Sequence, residues 1–321
     1  MKLNRKKKYA NPYQKVDHRN FFSWLGFCMG LYEDKYPRPK IPNDFNYPQK
    51  KLKAKEHLPQ VTWINHSTFL VEIDGLRMLT DPIWSERCSP IPFVGPKRQH
   101  VAGKGIDELP HVDFVFISHD HYDHLDRASI RKLHKKFPKI TWKIPKGLKK
   151  WFKRMKIDNV VEFDWWDTYT LSKNNMKITA VPSQHFSGRH PFSVNKSPWN
   201  GYVIEFHNMN KKLYFAGDTG YNNIQFNEIG KAFGEMDLSL IPIGAYSPKK
   251  FMQAVHVSPD EAVHIHREVN SKLSVGSHHS TFLLSKEKRH QPPFDLYCAM
   301  EEAELDHNTF RVLKPGQTIN W

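Results

Sequence analysis

One stretch of nine residues, 118–126, constrains this chain more than any other. It reads Ser-His-Asp-His-Tyr-Asp-His-Leu-Asp, so three histidines and three aspartates fall within eight positions. A divalent transition metal binds neutral imidazole nitrogens and carboxylate oxygens that converge from a short span. His119 and His121 alternate, which points both side chains the same way in strand geometry, whereas Asp123 and His124 turn back toward a second position. The spacing therefore favours two adjacent metal ions over a histidine-rich surface loop without metal.

The segments on either side of this cluster predict where it lies in the fold. Residues 112–117 are mostly Val, Phe and Ile and follow Pro110, which is typical of a buried strand. Residues 126–137 have helical spacing and begin with Asp126, a favourable N-cap residue. The cluster is therefore predicted to lie on a loop at the carboxyl end of a buried strand, where a rigid scaffold can hold reactive side chains.

Three further ligand-type residues each follow a strand-like run. His185 lies in Val-Pro-Ser-Gln-His-Phe, Asp218 in Tyr-Phe-Ala-Gly-Asp-Thr-Gly-Tyr, and His278 in Ser-Val-Gly-Ser-His-His-Ser-Thr-Phe. Together with the His-x-His-x-Asp-His segment, and in this order, they resemble the signature of the metallo-β-lactamase superfamily. Within that superfamily the chain resembles the phospholipases D that hydrolyse N-acyl-phosphatidylethanolamine and their bacterial relatives.

This narrower resemblance runs from about Pro59 to the C-terminus, whereas the first fifty or so residues match only loosely. It rests on six short segments: Leu-Thr-Asp-Pro-Ile-Trp-Ser (79–85), Gly-Pro-Lys-Arg (95–98), Asp-Trp-Trp (164–166), Phe-Ala-Gly-Asp-Thr-Gly-Tyr (215–221), Ile-Pro-Ile-Gly-Ala-Tyr (241–246) and His-Val-Ser-Pro-Asp-Glu-Ala-Val (256–263). The chain departs from the family at Asn65, where Gly is common, and at His279-Ser280, where Trp-Gly is common.

The resemblance implies an α+β fold, in which two mixed β-sheets pack face to face between helices as an αββα sandwich. It also implies two Zn²⁺ ions at one edge, although iron and manganese accept the same ligand types. The implied ligands are His119, His121 and His185 for one ion, Asp123, His124 and His278 for the other, and Asp218 for both. Water between the metals would lose a proton near neutral pH and attack phosphorus in a phosphodiester.

Five more residues are predicted to surround the metals. His66 and Asp81 end strands on the metal side, and the family has supporting residues rather than ligands there. We expect Asp81 to orient a ligand histidine through its second ring nitrogen, while a hydrogen-bonded core role is the alternative for each. His256 is a candidate for proton delivery or substrate contact, and Tyr246 and Gln253 are predicted to line the same cleft. The predicted catalytic residues are Asp123, Asp218 and His256.

Charge divides the chain into two predicted parts. The net charge is +15, and residues 1–56 carry 14 Lys and Arg against 5 Asp and Glu. We predict a basic N-terminal extension, 1–58, and a hydrolase domain, 59–321. The aromatic segment 21–32 is too short to cross a bilayer and lacks a following cleavage site, so we expect neither a transmembrane helix nor a signal peptide. This segment either packs on the main domain or dips into a membrane interface.

Three scattered cysteines, Cys28, Cys88 and Cys298, imply no disulfide framework and favour a reducing compartment. The predicted location is therefore cytoplasmic, with peripheral membrane association. Residues 127–157 contain no Asp or Glu, and within them 148–156 alternate apolar and basic residues at helical spacing. That helix either binds an anionic membrane or a nucleic-acid backbone, or turns its apolar stripe to the core.

Apolar and alternating runs predict the remaining elements. Strands are expected at 61–64, 68–73, 77–80, 159–163, 177–181, 201–207, 212–215, 238–241, 273–275 and 309–313. Helices are expected at 126–137, 223–233, 258–268 and 294–304, the third with a capping box of Ser258 and Glu261. The irregular stretches 82–111 and 186–199 are predicted to wall the cleft.

Three functions fit the sequence. The first is a di-zinc phosphodiesterase of phospholipase D type, which releases phosphatidic acid and an N-acylethanolamine from a phospholipid at a membrane surface. The second is a di-metal hydrolase that acts on a nucleic acid, a small phosphoester or a lactone. The third is a non-catalytic basic binding protein, against which the complete ligand set argues. The oligomeric state is open, with a homodimer among the options.

Overall fold

Short runs of β-branched and aromatic residues form fourteen strands in the part of the chain that the computed structural model describes, residues 8–15, 32, 34, 39–50 and 53–321. One sheet contains β1 (Gln60–Asn65), β2 (Thr68–Ile73), β3 (Leu76–Thr80), β4 (Phe114–Phe116), β5 (Thr141–Pro145), β6 (Val160–Phe163) and β14 (Thr318–Asn320). The other contains β7 (Thr168–Leu171), β8 (Met176–Pro182), β9 (Asn200–Phe206), β10 (Lys211–Phe215), β11 (Leu238–Pro242), β12 (Ser274–Ser277) and β13 (Phe310–Arg311).

Each sheet is antiparallel in one half and parallel in the other. The first has the order β14-β1-β2-β3-β4-β5-β6 and changes to parallel pairing at β3. The second has the order β13-β12-β11-β10-β9-β8-β7 and changes at β10. Strands β1, β3 and β4 consequently run the same way in the first sheet, as β8, β10 and β12 do in the second.

Helices cover the outer faces of both sheets. The helices are α1 (Arg127–Lys136), α2 (Lys149–Lys153), α3 (Gln225–Phe233), α4 (Lys249–Met252), α5 (Pro259–Glu268) and α6 (Gln291–Glu302). Asp126 caps α1 by accepting hydrogen bonds from the backbone N–H groups of Ala128 and Ser129. The predicted capping box of Ser258 and Glu261 begins α5. Among the described residues no helix combines the length and the apolar character needed to cross a bilayer.

Three layers of apolar side chains hold the sandwich together. Trp63, Phe69 and Phe215 belong to the layer between the sheets, where large rings are almost fully buried. Phe226 lies in the layer under α3, α5 and α6, and Leu133 in the layer under α1 and α2. The order of layers is helix, sheet, sheet, helix, so the predicted αββα sandwich is confirmed.

The basic segment 148–156 resolves one of the alternatives left open by the sequence. Leu148 and Phe152 are buried in the core against the first sheet, and Trp151 and Met155 pack at its margin. Its apolar stripe therefore faces the core and does not form an exposed membrane-binding face. Of the aromatic segment 21–32, only Tyr32 lies within the described residues, so both interpretations of that segment remain predictions.

Candidate metal centre

The site residues lie at the edge of the sandwich where the carboxyl ends of β1, β3 and β4 meet those of β8, β10 and β12. Each follows a strand directly or by a few residues: His66 follows β1, Asp81 follows β3, His119 to His124 follow β4, His185 follows β8, Asp218 follows β10 and His278 follows β12. Each chain segment leaves its sheet at the same edge, which brings together residues that are up to 212 positions apart. The topology of the two sheets therefore builds the site.

Three histidines form the first group of donor atoms. Nε2 of His119 lies 2.8 Å from Nδ1 of His121, and Nε2 of His185 lies 3.2 Å from the same atom. His119 and His185 are buried, whereas His121 is partly open to solvent. The three nitrogens lie within 4.8 Å of one another, close enough to bind one metal ion.

The second group surrounds Asp123. Its Oδ2 lies 3.0 Å from Nε2 of His66, 3.2 Å from Nε2 of His124 and 3.4 Å from Nε2 of His278. The sequence predicted three of these four side chains as one ligand set. It predicted His66 as a supporting residue, and the contact with Asp123 brings its ring into the same group of donors.

Asp218 lies between the two groups. Its Oδ2 is 3.0 Å from Nε2 of His278 and 3.1 Å from Nε2 of His124. The same oxygen is 4.0 Å from Nε2 of His119 and 3.9 Å from Nε2 of His185. A single carboxylate is therefore within reach of donors from both groups, which is the geometry that a bridging ligand requires.

Buried polar atoms without hydrogen-bond partners test whether this set fits a metal. Within the described residues, Oδ1 of Asp218 and Nδ1 of His278 are buried and make no hydrogen bond, while Nε2 of His124 and Nε2 of His278 face carboxylate oxygens 3.0–3.4 Å away without the alignment of a hydrogen bond. Buried polar atoms in native proteins almost always have a partner, and leaving one without it costs about 1–3 kcal/mol. Mixed imidazole and carboxylate donors converging on one point are the ligands that a divalent transition metal prefers, so the residues present fit a metal centre.

A chain of hydrogen bonds orients the rings from the core side. Nδ1 of His124 lies 2.6 Å from Oδ2 of Asp81, the contact with a ligand histidine that the sequence predicted for Asp81. The Ser118 hydroxyl donates to the same Oδ2 over 2.6 Å, and its backbone N–H donates to Oδ1 over 2.7 Å. Nδ1 of His119 lies 2.9 Å from the Ser118 hydroxyl. The Nε2 atoms of both rings therefore face the centre.

Left-handed backbone occurs where strands turn into the site. His66, Asp81 and His278 have φ angles of 44°, 31° and 59°. Such conformations cost on the order of 1–3 kcal/mol each in residues other than glycine, and they persist where the surrounding structure enforces them. At the first turn the left-handed residue is His66, whereas Asn65 has no positive φ. Asn65 therefore stands where the family commonly has Gly without adopting left-handed backbone itself.

Burial and neighbouring charges shift the pKa values of the site residues in different directions. Burial alone raises the pKa of Asp123 and Asp218, but His124 and His278 together with the other neighbouring histidines outweigh it and hold both pKa values well below the usual range. Burial lowers the pKa of His278, but Asp218 and Asp123 together outweigh it and raise that pKa to about 9. Burial and the adjacent His121 hold the pKa of His185 well below its ordinary value. The carboxylates are thus ionised at neutral pH, as metal binding requires.

Of the residues predicted to contact the substrate, His256 lies at the metal centre, whereas Tyr246 and Gln253 are placed differently. Nδ1 of His256 lies 4.0 Å from Oδ2 of Asp218, so this side chain is at the centre. Tyr246 is buried, and its hydroxyl donates to Oδ2 of Asp295 over 2.5 Å. Gln253 is exposed just after α4. The structure thus brings His256 to the donors but directs the hydroxyl of Tyr246 elsewhere.

The adjacent histidines 278 and 279 point in different directions. His278 belongs to the second donor group, whereas the ring of His279 stacks on Trp63 with centroids 4.6 Å apart. Ser280 has a φ of 57°, a conformation that favours glycine, the residue common here in the family that this chain resembles.

Sequence reasoning missed Asn11, which contacts His185 from the N-terminal extension. Its side-chain Nδ2 donates to the backbone oxygen of His185 over 3.0 Å, and its Oδ1 accepts from the backbone N–H of His185 over 3.0 Å. The indole of Trp199 donates to the same Oδ1 over 2.9 Å. Tyr9 anchors this segment through a ring contact with Trp165. The only local signal was the Asn-Pro dipeptide at 11–12, which marks a turn and not a site.

Comparison with known proteins gives consistent findings. Residues 76–279 match the family described as Beta-lactamase superfamily domain. The chain is 37% identical to N-acyl-phosphatidylethanolamine-hydrolyzing phospholipase D 1 of Caenorhabditis elegans, over 76% of this chain and 70% of that protein. It is also 37% identical to the mitochondrial N-acyl-phosphatidylethanolamine-hydrolyzing phospholipase D of Saccharomyces cerevisiae, over 70% of this chain and 48% of that protein. The isothiocyanate hydrolase from Delia radicum gut bacteria shares the fold, with a TM-score of 0.64 at 18% identity over 82% of this chain and 99% of that one.

Proposed function

Because this chain belongs to the beta-lactamase superfamily and is a metal-dependent hydrolase, we propose that it is a di-zinc phosphodiesterase of the phospholipase D type. The observation that carries the proposal is the position of Asp218, whose Oδ2 is within 4.0 Å of histidine nitrogens from both donor groups. We assign one Zn²⁺ to His119, His121 and His185 and the other to Asp123, His124 and His278, with Asp218 shared.

Zinc is the proposed metal because imidazole and carboxylate donors suit it, although iron and manganese accept the same set. A bound metal pair of this kind lowers the pKa of a shared water and stabilises negative charge on phosphoryl oxygens. The role of the protein is to hold the donors in place. Asp81 and Ser118 orient His124 and His119 from the core side. The backbone oxygen of Val255 accepts from Nδ1 of His185 over 2.9 Å and so turns its Nε2 to the centre.

His256 is the proposed donor of a proton to the leaving oxygen. Its ring lies 5.1 Å from that of His185 and 5.1 Å from that of His278, measured between centroids. Its side chain is 12% exposed, whereas that of Asp218 is 2% exposed, so the imidazole lies nearer to solvent than the bridging carboxylate does. That position lets it contact a substrate that enters from outside, and a positioned imidazole is the commonest general acid.

The proposed substrate is an N-acyl-phosphatidylethanolamine-like phospholipid, cleaved to phosphatidic acid and an N-acylethanolamine. Two relatives named for that activity support this choice. We further propose that the protein acts in the cytoplasm as a peripheral membrane protein. A basic chain is attracted to an anionic membrane surface, and Cys88 and Cys298 are free thiols. The division into an extension, 1–58, and a hydrolase domain, 59–321, remains a prediction.

Turnover of N-acyl-phosphatidylethanolamine vesicles by the zinc-loaded protein tests the proposal. Asp218→Asn should lower kcat/KM by about a thousandfold, because several kcal/mol of charge stabilisation are lost with the shared ligand. Asp113→Asn, which changes a carboxylate before β4 at the opposite edge, is the matched control and should keep full activity. Fully loaded protein that leaves these vesicles intact but cleaves a nucleic acid, a soluble phosphodiester or a lactone would favour the alternative hydrolase.

A further inference from the structure

A cavity of about 600 Å³ lies beside the metal-binding loop but is not part of the metal centre. Its walls come from residues 85–92, from residues 122–131 around the start of α1, and from Trp151 and Arg189. None of the side chains assigned to the metals lines it. Four arginines do line it: Arg87, Arg127, Arg131 and Arg189.

The acidic residues of this arginine cavity are already engaged. Glu86 pairs with Lys97, with Oε1 and Nζ 2.9 Å apart. Oδ2 of Asp126 accepts from the hydroxyl of Ser85 over 2.7 Å, and the same carboxylate caps α1. Within the described part of the chain, none of the four guanidinium groups forms an ion pair with a carboxylate. Four guanidinium groups therefore share the cavity with two carboxylates, one of which already pairs with Lys97, so the cavity carries a net positive charge.

Arg189 is held in a fixed orientation. Its Nη1 donates to the backbone oxygens of Asp120 over 3.0 Å and of Leu125 over 2.7 Å. Its guanidinium carbon lies 4.0 Å from the ring centroid of Tyr122 and 5.5 Å from that of Trp151. A guanidinium fixed in this way presents its other N–H groups without a further loss of side-chain entropy, which favours recognition of a phosphate by paired hydrogen bonds.

Exposed apolar residues flank the cavity. The loop that supplies its Pro90 and Pro92 also carries Phe93, which is 80% exposed, and Val94, which is 51% exposed. Phe192, three residues beyond Arg189, is 81% exposed. Large apolar side chains beside a cationic surface are typical of proteins that lie in a membrane interface.

We propose that the arginine cavity binds the phosphate of an anionic phospholipid other than the one being cleaved, while Phe93 and Phe192 enter the acyl region around it. The site thus holds the protein at the membrane surface beside the metal centre. Its ligand chemistry is a phosphate anion, and the neighbouring apolar residues favour a lipid as its source. The inference rests on the proposed function only in its choice of a membrane as the place of action.

The test compares two charge-matched double variants in vesicle sedimentation. Arg87→Gln with Arg131→Gln removes two cavity cations, and Lys132→Gln with Lys135→Gln removes two exposed cations of α1 that do not line the cavity. On phosphatidylcholine vesicles that contain phosphatidylglycerol, the cavity variant should bind about 25-fold more weakly, since each basic side chain near an anionic surface contributes about fivefold. The control variant should lose clearly less, and all proteins should bind pure phosphatidylcholine equally weakly.

Further arms identify the source of the phosphate. Phe93→Ser with Phe192→Ser should weaken vesicle binding but leave displacement of a fluorescent phosphate ester by glycerol phosphate unchanged. Equal losses of vesicle binding in the two charge variants would mean that the membrane attracts the basic surface as a whole and not a specific cavity, and would overturn the proposal. It would also be overturned if free phosphate bound as tightly as vesicles, or if the cavity arginines mattered only for single-stranded nucleic acid.

Hydrolysis of a dispersed short-chain substrate by the same variants separates this inference from the proposed function. Failure of the proposed function would abolish turnover in every protein and leave the binding difference intact. Failure of this inference would abolish the binding difference and leave turnover intact.

Discussion

The two halves of the metal centre are supported in different ways. Nδ1 of His124 is held by residues at strand ends of its own sheet, because Asp81 follows β3 and Ser118 follows β4. His185 is held by the backbone of Val255 and, from a distance of 174 positions along the chain, by Asn11. The half of the site that contains His124, the core half, is thus supported by residues within the sandwich. The half that contains His185, the outer half, also depends on an N-terminal segment that the family match does not include. Breaking each support in turn measures how much each half contributes.

Of the variants that remove a support of a ligand, Asp81→Asn is expected to have the largest effect on the metal centre. Asp81 accepts through both carboxylate oxygens, from the Ser118 backbone N–H at Oδ1 and from the Ser118 hydroxyl and His124 at Oδ2. An amide replaces one of these oxygens with a donor, so the His124 ring loses its fixed orientation, and metal affinity should fall by about 10–100-fold. Metal content after dialysis against a competing chelator measures this. Asp237→Asn is the control, because that carboxylate is also largely buried but precedes β11 at the opposite edge. Equal metal loss in the two variants would show that general destabilisation, and not orientation, is responsible.

A smaller effect is expected from Asn11→Ala. The variant loses hydrogen bonds to both backbone groups of His185, each with a net contribution of about 0.5–1.5 kcal/mol, so activity should fall by about tenfold. The visible spectrum of the cobalt-substituted protein should change, because the change displaces a proposed ligand. Asn159→Ala removes an amide that donates to Lys139, Ile140 and Thr141 far from the metals, and it should leave that spectrum unchanged. An unaltered spectrum in Asn11→Ala would mean that the outer half does not need the extension.

A pH effect on stability is expected from His266, which lies outside both halves and serves as a reference. Burial lowers its pKa to about 4. Its Nδ1 lies 2.8 Å from the hydroxyl of Ser274, and its ring stacks on the ring of Phe310. Since the unfolded chain binds the proton near pH 6.5, this group stabilises the fold fully above that pH. As pH falls from 6.5 toward 4, that stability is lost at up to about 1.4 kcal/mol per pH unit.

Denaturant unfolding of wild type and His266→Gln across this pH range measures the effect. The variant should lose less stability than wild type between pH 6.5 and 4. If the two slopes coincide, the histidines of the metal centre account for the acid sensitivity instead.

The smallest effect is expected from Tyr9→Phe, which tests how specific the contribution of the extension is. The variant loses one half-buried hydrogen bond to Oδ2 of Asp164, 3.1 Å long, but keeps the ring contact with Trp165. Stability should fall by about 1 kcal/mol or less and activity by less than about twofold. A loss of activity as large as that of Asn11→Ala would indicate that the metal centre depends on the packing of the whole segment 8–15 and not specifically on the hydrogen bonds from Asn11 to His185.

The donor atoms of the centre were predictable because each follows a buried strand and the two sheets bring those strand ends together. Strand β5 was missed, since Lys143 interrupts its apolar pattern inside a basic stretch. The fully buried Lys143 nevertheless lies with its ammonium 4.0 Å from the ring centroid of Tyr169, a cation–π contact that compensates part of its burial. The predicted strand 309–313 is reduced to Phe310–Arg311, and the short edge strand β14 went unnoticed. Asn11 could not be found, because no local pattern encodes a contact 174 positions away.

The clamp from Asn11 has a practical consequence for anyone who shortens this protein. The family match begins at residue 76, and a cut at residue 59 looks natural on composition alone. A truncated protein that starts at residue 59 would keep every proposed ligand but would lack the Asn11 side chain, which hydrogen-bonds both backbone groups of His185. Weak catalysis by it would reflect an incomplete centre, so assays should use protein that includes residues 8–15.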